Sequence, residues 1–281
     1  MARQGPRRIC AVRFAGEGTH APAAAGHGVG LRWAFGAGRG TRTPTVSPPA
    51  DFESAASTDS AIPARRGAQI IVDADLKAWR KGERERLIRE RTAVDPARLA
   101  LWRLRIDAVL ESRFPALARG VVAFCWPVLA EYDARYVARR LRAKGALTAL
   151  PVVVAPRTPL AFREWHPGVK LAEGAMKIPY PADSREVVPD SVLLPMNGWD
   201  AQGYRLGYGA GYFDRTLASL AARPLVIGVT YEIARLDTIH PQAWDIPADH
   251  VVTERGSYRR APDGFLAFEG GATVADPIIG A

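Results

Sequence analysis

The sequence predicts an α/β domain: a mostly parallel sheet with helices on both faces, three layers in all, behind a disordered N-terminal tail. Three observations predict it. Short apolar runs alternate with helical stripes through the body of the chain, the pattern of a parallel sheet buried on both sides. A hydrophobic content of 48% over 281 residues is enough to bury a substantial core. The first 71 residues, by contrast, are dominated by Ala, Gly, Pro, Arg, Ser and Thr, with breaker clusters such as 43–49 and no apolar period.

Residues 1–71 are therefore read as a disordered tail and 72–281 as the α/β domain. Arg7 and Arg8 resemble a twin-arginine start, but no uninterrupted apolar segment follows, so a secretory signal is not expected. An Arg-rich, acid-poor transit segment and a start codon set too far upstream both stay open. A first helix begins near Val72, with Leu76, Trp79 and Leu87 on its apolar side and its many charges on a solvated face. Asp95 and Pro96 start a second helix, whose Leu99, Trp102, Ile106, Val109 and Leu110 run at helical spacing up to Pro115. It is expected to pack against the first. Strands are expected at 121–126, 150–154, 192–195 and 225–229. Between the first two, Ala134, Val137, Ala138 and Leu141 form a helical stripe ending at Gly145, which makes a βαβ unit.

No run approaches the ~18 apolar residues of a membrane helix. Of the net charge of +9, residues 1–71 hold +5, from nine arginines against Glu17, Asp51, Glu53 and Asp59. The body's remaining +4 suits pockets for phosphates and carboxylates as well as a nucleic-acid surface, and nucleic acid is not the expected partner. Cys10 and Cys125 lie too far apart in sequence and context to argue a disulfide framework or a thiolate cage. Cys125 is expected to behave as a small core hydrophobe, in a reducing, cytoplasmic setting. His166, His240 and His250 lack the spacing of a metal site, and no serine elbow is present.

One segment stands apart: Gly203-Tyr204-Arg205-Leu206-Gly207-Tyr208-Gly209-Ala210-Gly211-Tyr212-Phe213-Asp214-Arg215, running into the helical stripe Phe213, Leu217, Leu220 and Ala221. Alternate glycines let a loop take positive φ and bring backbone N–H groups close to an anion, and a following helix N-terminus adds positive partial charge. Arg205 can hold a phosphate bidentately, Arg215 supplies a second cation, and Asp214 can position Mg²⁺ on that phosphate. No Gly-Lys-Ser/Thr follows, as a Walker A loop needs, and Tyr212 occupies the place of the dinucleotide fingerprint's third glycine. The glycine spacing by itself fits a tight structural turn equally well.

With its flanks, the string resembles the signature of the 5-formyltetrahydrofolate cyclo-ligase family, also called methenyltetrahydrofolate synthetases. Further matches run in order from about Leu76 to Gly256. The resemblance implies a Rossmann-like sheet and Mg-ATP bound on the loop by Arg205, Leu206, Gly207, Tyr208, Gly209, Ala210, Gly211, Tyr212 and Phe213. Asp214 is then the metal residue, and Arg205 and Asp214 carry the chemistry. Lys77, Arg80 and Lys81 on the first helix resemble the family's basic ATP-contacting helix. Trp126, Pro127 and Glu131 match an aromatic, a proline and a glutamate that touches the folate; an aromatic at a strand's C-terminal end can stack on a pterin whose N–H donors a glutamate accepts. The stretch 159–165, leading to 178–181, resembles the substrate-side loop and implies that Phe162 and Trp165 line the folate pocket. Residues 244–249 and 251–254 resemble the C-terminal strand and are expected to be structural. The chain departs from the family at Cys125 (usually Tyr), Ala134 (Thr), Tyr180 (Glu or Gln) and Trp244 (His), positions that bear on substrate choice.

The implied activity is ATP- and Mg²⁺-dependent cyclisation of 5-formyltetrahydrofolate to 5,10-methenyltetrahydrofolate, with release of ADP and phosphate. The implied partners are ATP and a reduced folate, with no membrane, for a cytoplasmic monomer. Two other readings stay open: a paralog that keeps the nucleotide loop but has lost or changed its folate activity, and a basic nucleic-acid-binding protein working through its tail.

Overall fold

The computed structural model describes residues 73–272, with the side chains from position 74 onward. The tail expected to be disordered lies outside the described residues, as do Cys10, His20 and His27. Helix α1 (Asp73–Thr92) and helix α2 (Pro96–Arg113) come first. Asp95 caps α2: its Oδ1 accepts the Ala97 N–H at 2.9 Å and the Arg98 N–H at 3.2 Å, satisfying two of the orphan donors at a helix start. Then follow β1 (Val121–Phe124), α3 (Arg135–Ala143), β2 (Leu147–Val152) and β3 (Ala161–Trp165). A hairpin of β4 (Leu171–Glu173) and β5 (Pro179–Pro181) precedes β6 (Ser191–Pro195). A short ribbon of β7 (Gly198–Trp199) and β8 (Arg205–Leu206) leads into α4 (Tyr212–Ser219). The chain closes with β9 (Leu225–Val229), β10 (His250–Thr253), β11 (Gly256–Arg260) and β12 (Leu266–Gly270).

Among the described residues the main sheet runs β12-β11-β10-β9-β6-β1-β2-β3. Its inner strands β10, β9, β6, β1 and β2 are parallel, and antiparallel strands flank them at both edges. From β1 the chain moves outward to β2, whereas β6 lies on β1's other side. Strand direction therefore leaves a crevice at the C-terminal ends of β1 and β6, where open α/β sheets bind ligands.

Period-2 alternation along β1 divides the core between the two faces. Val122 and Phe124 pack against Ile106, Val109 and Leu110 of α2 and Val137 and Leu141 of α3. Ala123 faces the other way, with Val192, Leu194 and Val226, against Leu217 of α4, Trp199 of β7 and the segments carrying Ala234 and Ala248. Both faces are covered, but unequally: the second carries one eight-residue helix and loops. Apart from β10, which the family resemblance indicated, and β11 beside it, the strands that sequence patterning missed are edge or ribbon strands. They are short, or polar like Arg163 and Glu164 in β3, and show no apolar run.

The expected packing of α1 on α2 is corrected. Helix α1 lies on the β7–β8 ribbon, where Leu87 joins Leu206 and Ile239 in a small apolar cluster. Beside Leu76 and Leu87, its inward positions are arginines that end on backbone carbonyls, so α1 docks by hydrogen bonding as much as by apolar burial.

Candidate functional site

The glycine segment hangs on a rigid ribbon. Asp200, 1% exposed, takes the N–H groups of Gln202 and Tyr204 on Oδ1 and that of Ile239 on Oδ2, which closes the turn between β7 and β8. The loop then runs through Gly209 (φ 95°) and Gly211 (φ 64°), and Gly211 is the N-cap of α4 without any side-chain cap bond. Both glycines occupy φ values that L side chains avoid, and the first-turn N–H groups of α4 are left for a ligand.

Helix α1 supplies the cationic side of this loop. Arg84 Nε donates to the Gly207 carbonyl at 2.6 Å. A Cβ built on Gly209 would stand 3.2 Å from Arg84 Nη2. Arg80 donates to the carbonyls of Ile239 and His240 and pairs with Asp245 Oδ2 at 2.7 Å. The Arg84 guanidinium is held below its usual pKa, first by burial and then by the neighbouring charge of Arg80. Two cations this close with one carboxylate between them form a positive pole suited to an anion.

Across the crevice, the turn 128–131 follows β1. Leu129 (φ 47°) and Ala130 (φ 61°) are both left-handed without being glycine. The turn is held by the Glu131 N–H on the Val128 carbonyl at 3.0 Å and by buried Arg91, whose Nε donates to the Leu129 carbonyl at 2.8 Å. Glu131 is thereby fixed facing the glycine loop. Its Oε1 accepts the Tyr208 hydroxyl at 2.8 Å and its Oε2 the Val128 N–H at 3.1 Å. Burial raises the Glu131 pKa, against the lowering effects of Tyr208, Arg91 and the Val128 N–H. Burial, then Glu131, raises the Tyr208 phenol, so it stays a donor.

These parts border one cavity of about 580 Å³. Arg80, Trp126, Glu131 and the whole run Arg205–Asp214 line it, so most of the residues singled out from sequence come together. Trp126 is half-buried, with the Arg135 guanidinium 4.5 Å from its ring centre. Arg205 and Asp214 meet each other: Nη2 and Oδ1 are 2.7 Å apart, and both side chains also bond the backbone of Ile246. Arg215 Nη2 donates to the Ala210 carbonyl, and its buried Nε has no partner beside the loop.

Four expectations need correction. Phe162 and Trp165 do not line the cavity: they are 4% and 3% exposed, in the two cores on opposite faces of the sheet, with Trp165 edge-on to Phe124 at 5.1 Å. From the same strand it is Arg163 that lines the cavity. Lys77 and Lys81 point to solvent, because they sit off the face that Leu76, Arg80, Arg84, Leu87 and Arg91 turn inward. Cys125 lines the cavity instead of joining a core, and burial together with Glu131 pushes its thiol pKa well up, so it is un-ionised. Trp244 and Asp245, expected to be structural, line the cavity, as does Tyr180; Tyr180 and Trp244 are two of the departures singled out for substrate choice. Sequence reasoning passed over Arg84 and the hairpin residues Glu173 and Met176, which also line it. The signal for Arg84 was available as the face 76-80-84-87-91; nothing local marked Glu173 and Met176.

Among the described residues no three metal-capable side chains cluster. Asp214 and Asp245 border the cavity beside the glycine loop, a donor set too small for an all-protein cage but fitting an ion such as Mg²⁺ that takes one or two carboxylates and otherwise phosphate oxygens. No described helix is long and apolar enough to cross a membrane.

Fold and site together define an α/β protein with a glycine-rich loop facing a buried carboxylate across one crevice. A model of the 5-formyltetrahydrofolate cyclo-ligase family matches residues 76–254, and the chain belongs to that family. It is 30% identical over 146 residues to the 5-formyltetrahydrofolate cyclo-ligase of Escherichia coli strain K12, covering 50% of this chain and 80% of that protein. The Mycolicibacterium smegmatis protein of the same name is 34% identical over 119 residues, 40% of this chain and 61% of its own. Among solved structures, the 5,10-methenyltetrahydrofolate synthetase of Aquifex aeolicus superposes with a TM-score of 0.56 at 25% identity, over 72% of this chain and 99% of that one. The Mycoplasma pneumoniae synthetase, at 19% identity and a TM-score of 0.50 over 62% of this chain and 98% of its own, shares the fold.

Proposed function

We propose that the protein cyclises 5-formyltetrahydrofolate to 5,10-methenyltetrahydrofolate at the expense of ATP. The observation that carries the reading is that the glycine loop and Glu131 border one cavity and are bonded to each other through Tyr208. A nucleotide pole and a pterin-binding carboxylate within one crevice are what a reaction between ATP and a folate needs.

The triphosphate lies along the loop 207–211 and the free N–H groups of α4, with Arg84 and Arg80 neutralising it from α1 and Arg205 from β8. Glu131 accepts pterin N–H donors and Trp126 offers a ring face. Asp214 and Asp245 would hold Mg²⁺, which when bound supplies charge neutralisation at the phosphates. The formyl oxygen attacks the γ-phosphorus, a new P–O bond forms, and the bond to the β-phosphate oxygen breaks to release ADP. The neighbouring N10 amine then attacks the activated carbon and loses its proton, and the C–O bond breaks with departure of phosphate. Both steps depend on positioning and charge rather than on a covalent enzyme intermediate.

The test mixes the full chain with Mg-ATP and 5-formyltetrahydrofolate and follows the near-ultraviolet absorbance of the methenyl product. ATP-dependent product supports the reading. Folded protein that consumes ATP or binds it without forming product would assign a changed folate activity, with Tyr180 and Trp244 on the cavity wall as the first positions to examine.

A further inference from the structure

We propose that Tyr208 is a positioning residue that couples the two halves of the site, so that a nucleotide on the glycine loop and a folate on Glu131 each bind more tightly when the other is present. The inference rests on the function proposed above and goes beyond it by assigning the coupling to one hydrogen bond.

The two halves differ in burial. Glu131 is 8% exposed and set by the turn that Arg91 grips from behind. The loop side stands out toward solvent: Tyr208, Gly209 and Ala210 are all exposed, and Tyr208 is 38% exposed although its hydroxyl reaches a buried carboxylate. Arg84 and Arg215 hold the loop only at its backbone carbonyls, so the 2.8 Å bond from Tyr208 to Glu131 Oε1 is the side-chain bond that joins the exposed loop to the buried acceptor.

A carboxylate offers about four acceptor positions. On Glu131 the Val128 N–H and the Tyr208 hydroxyl occupy two, and the Arg91 Nη2 stands off at 3.9 Å, so a folate's two N–H donors can be accepted without displacing Tyr208. A folate seated on Glu131 holds that carboxylate in place for Tyr208 and so orders the loop before the nucleotide arrives. A nucleotide that orders the loop presents Glu131 with Tyr208 already in place. Whichever ligand comes first bears the ordering cost, which is positive coupling by shared conformational entropy.

The measurement is calorimetric titration of the full chain with a non-hydrolysable ATP analogue, AMP-PNP with Mg²⁺, in the absence and presence of saturating 5-methyltetrahydrofolate, which lacks the formyl oxygen and cannot react. The expected ratio of the two dissociation constants is at least about fivefold in the wild type, within the usual range for coupled sites. In Tyr208→Phe it is expected to fall to less than about twofold, with the thermal midpoint unchanged. A structural role alone would move the midpoint or both affinities and leave the ratio intact. A wild-type ratio of one, or a Tyr208→Phe ratio equal to the wild type's, overturns the coupling while leaving the proposed function standing. Failure of the wild type to bind either ligand overturns the function and the coupling with it.

Discussion

Arg205 and Asp214 are bonded to each other at 2.7 Å, and each also bonds the backbone of Ile246, which ties the start of α4 to the segment carrying Trp244 and Asp245. The arginine expected to neutralise phosphate and the carboxylate expected to hold a metal thus form a nearly neutral unit in the ligand-free protein. The positive charge at the loop outside this pair comes from Arg84 and Arg80 on α1, Arg80 being paired with Asp245, and from Arg215. Under the proposed function, a nucleotide entering with its cation would divide this pair, with Asp214 meeting the ion and Arg205 the phosphates.

Arg205→Ala is expected to lower kcat/KM by about 10²–10³-fold, the scale of a lost transition-state donor. It also leaves the half-buried Asp214 carboxylate with the Ile246 N–H as its remaining partner. Pairing it with Asp214→Asn separates the two roles. If Arg205 serves only to neutralise Asp214, the double variant is no less active than Asp214→Asn alone; if it holds phosphate, stability returns while activity falls well below that of Asp214→Asn alone. Steady-state kinetics beside thermal melts of the three variants read the result.

Glu131→Gln trades function for stability. Burial raises the folded-state pKa of Glu131 above its ordinary value of 4.5, so between the two values the folded chain binds more protons than the unfolded one. Stability attributable to this group therefore falls as pH rises from about 4.5 through the raised folded value, and stays level above it. Glutamine cannot ionise and escapes that loss, its single oxygen keeping the Tyr208 hydroxyl while the bond from the Val128 N–H is given up. The variant is expected to melt no lower than the wild type at pH 7 and to lose any advantage below about pH 4.5, while its KM for folate rises at neutral pH. Melts across pH 4 to 8 check the sign; a variant that melts lower throughout would show that the charge attraction of Arg91 outweighs burial.

Much of this architecture is readable in the chain, for identifiable reasons. The strand expected at 225–229 is β9 without adjustment, because a fully buried central strand is a continuous apolar run between breakers. Asp95 and Pro96 mark the start of α2 by capping chemistry that acts locally. Helix α1 was harder: its inward face alternates Leu76, Arg80, Arg84, Leu87 and Arg91, and hydrophobicity alone cannot show a face that docks through guanidinium groups onto carbonyls. Phe162 and Trp165 illustrate the opposite error. Side chains three apart on a strand face opposite ways, so both could not have lined one pocket, and both were needed by the two cores. Tyr180 and Trp244 were marked only by their departure from the family's residues, whereas Glu173, Met176 and Asp245 reach the site through tertiary folding that no local pattern encodes.

The turn that presents Glu131 carries backbone strain that can be relieved. Ala130, at φ 61°, adopts a conformation that disfavours L residues by roughly 1–2 kcal/mol, part of which is returned by the smaller entropy of the unfolded Ala chain. Ala130→Gly is expected to raise unfolding free energy by about 0.5–1 kcal/mol in urea titration. A loss of that size instead would place the Ala130 methyl group among the contacts that hold the turn.

The face that α1 presents to the nucleotide can be tested by contrast between two cations three residues apart. Arg84 is half-buried, bonds the Gly207 carbonyl at 2.6 Å and lies against Gly209, whereas Lys81 is exposed and 3.8 Å from Glu85 on the same helix. An exposed i,i+4 pair contributes at most a few tenths of a kcal/mol, so Lys81→Ala should leave both stability and the KM for ATP within about twofold. Arg84→Ala removes a cation whose pKa is already depressed by burial and by Arg80, and whose charge an incoming triphosphate relieves. Its loss is expected to raise the KM for ATP by about 10–100-fold, on the scale of roughly 1.5–3 kcal/mol for a hydrogen bond to a charged group, with little change in the KM for folate. Arg84→Lys keeps the charge but loses the fork that reaches the Gly207 carbonyl and a phosphate together, and should recover only part of the affinity. Equal effects of Lys81→Ala and Arg84→Ala on the KM for ATP would mean that the helix acts through its overall charge, and that the inward face is not where the nucleotide is held.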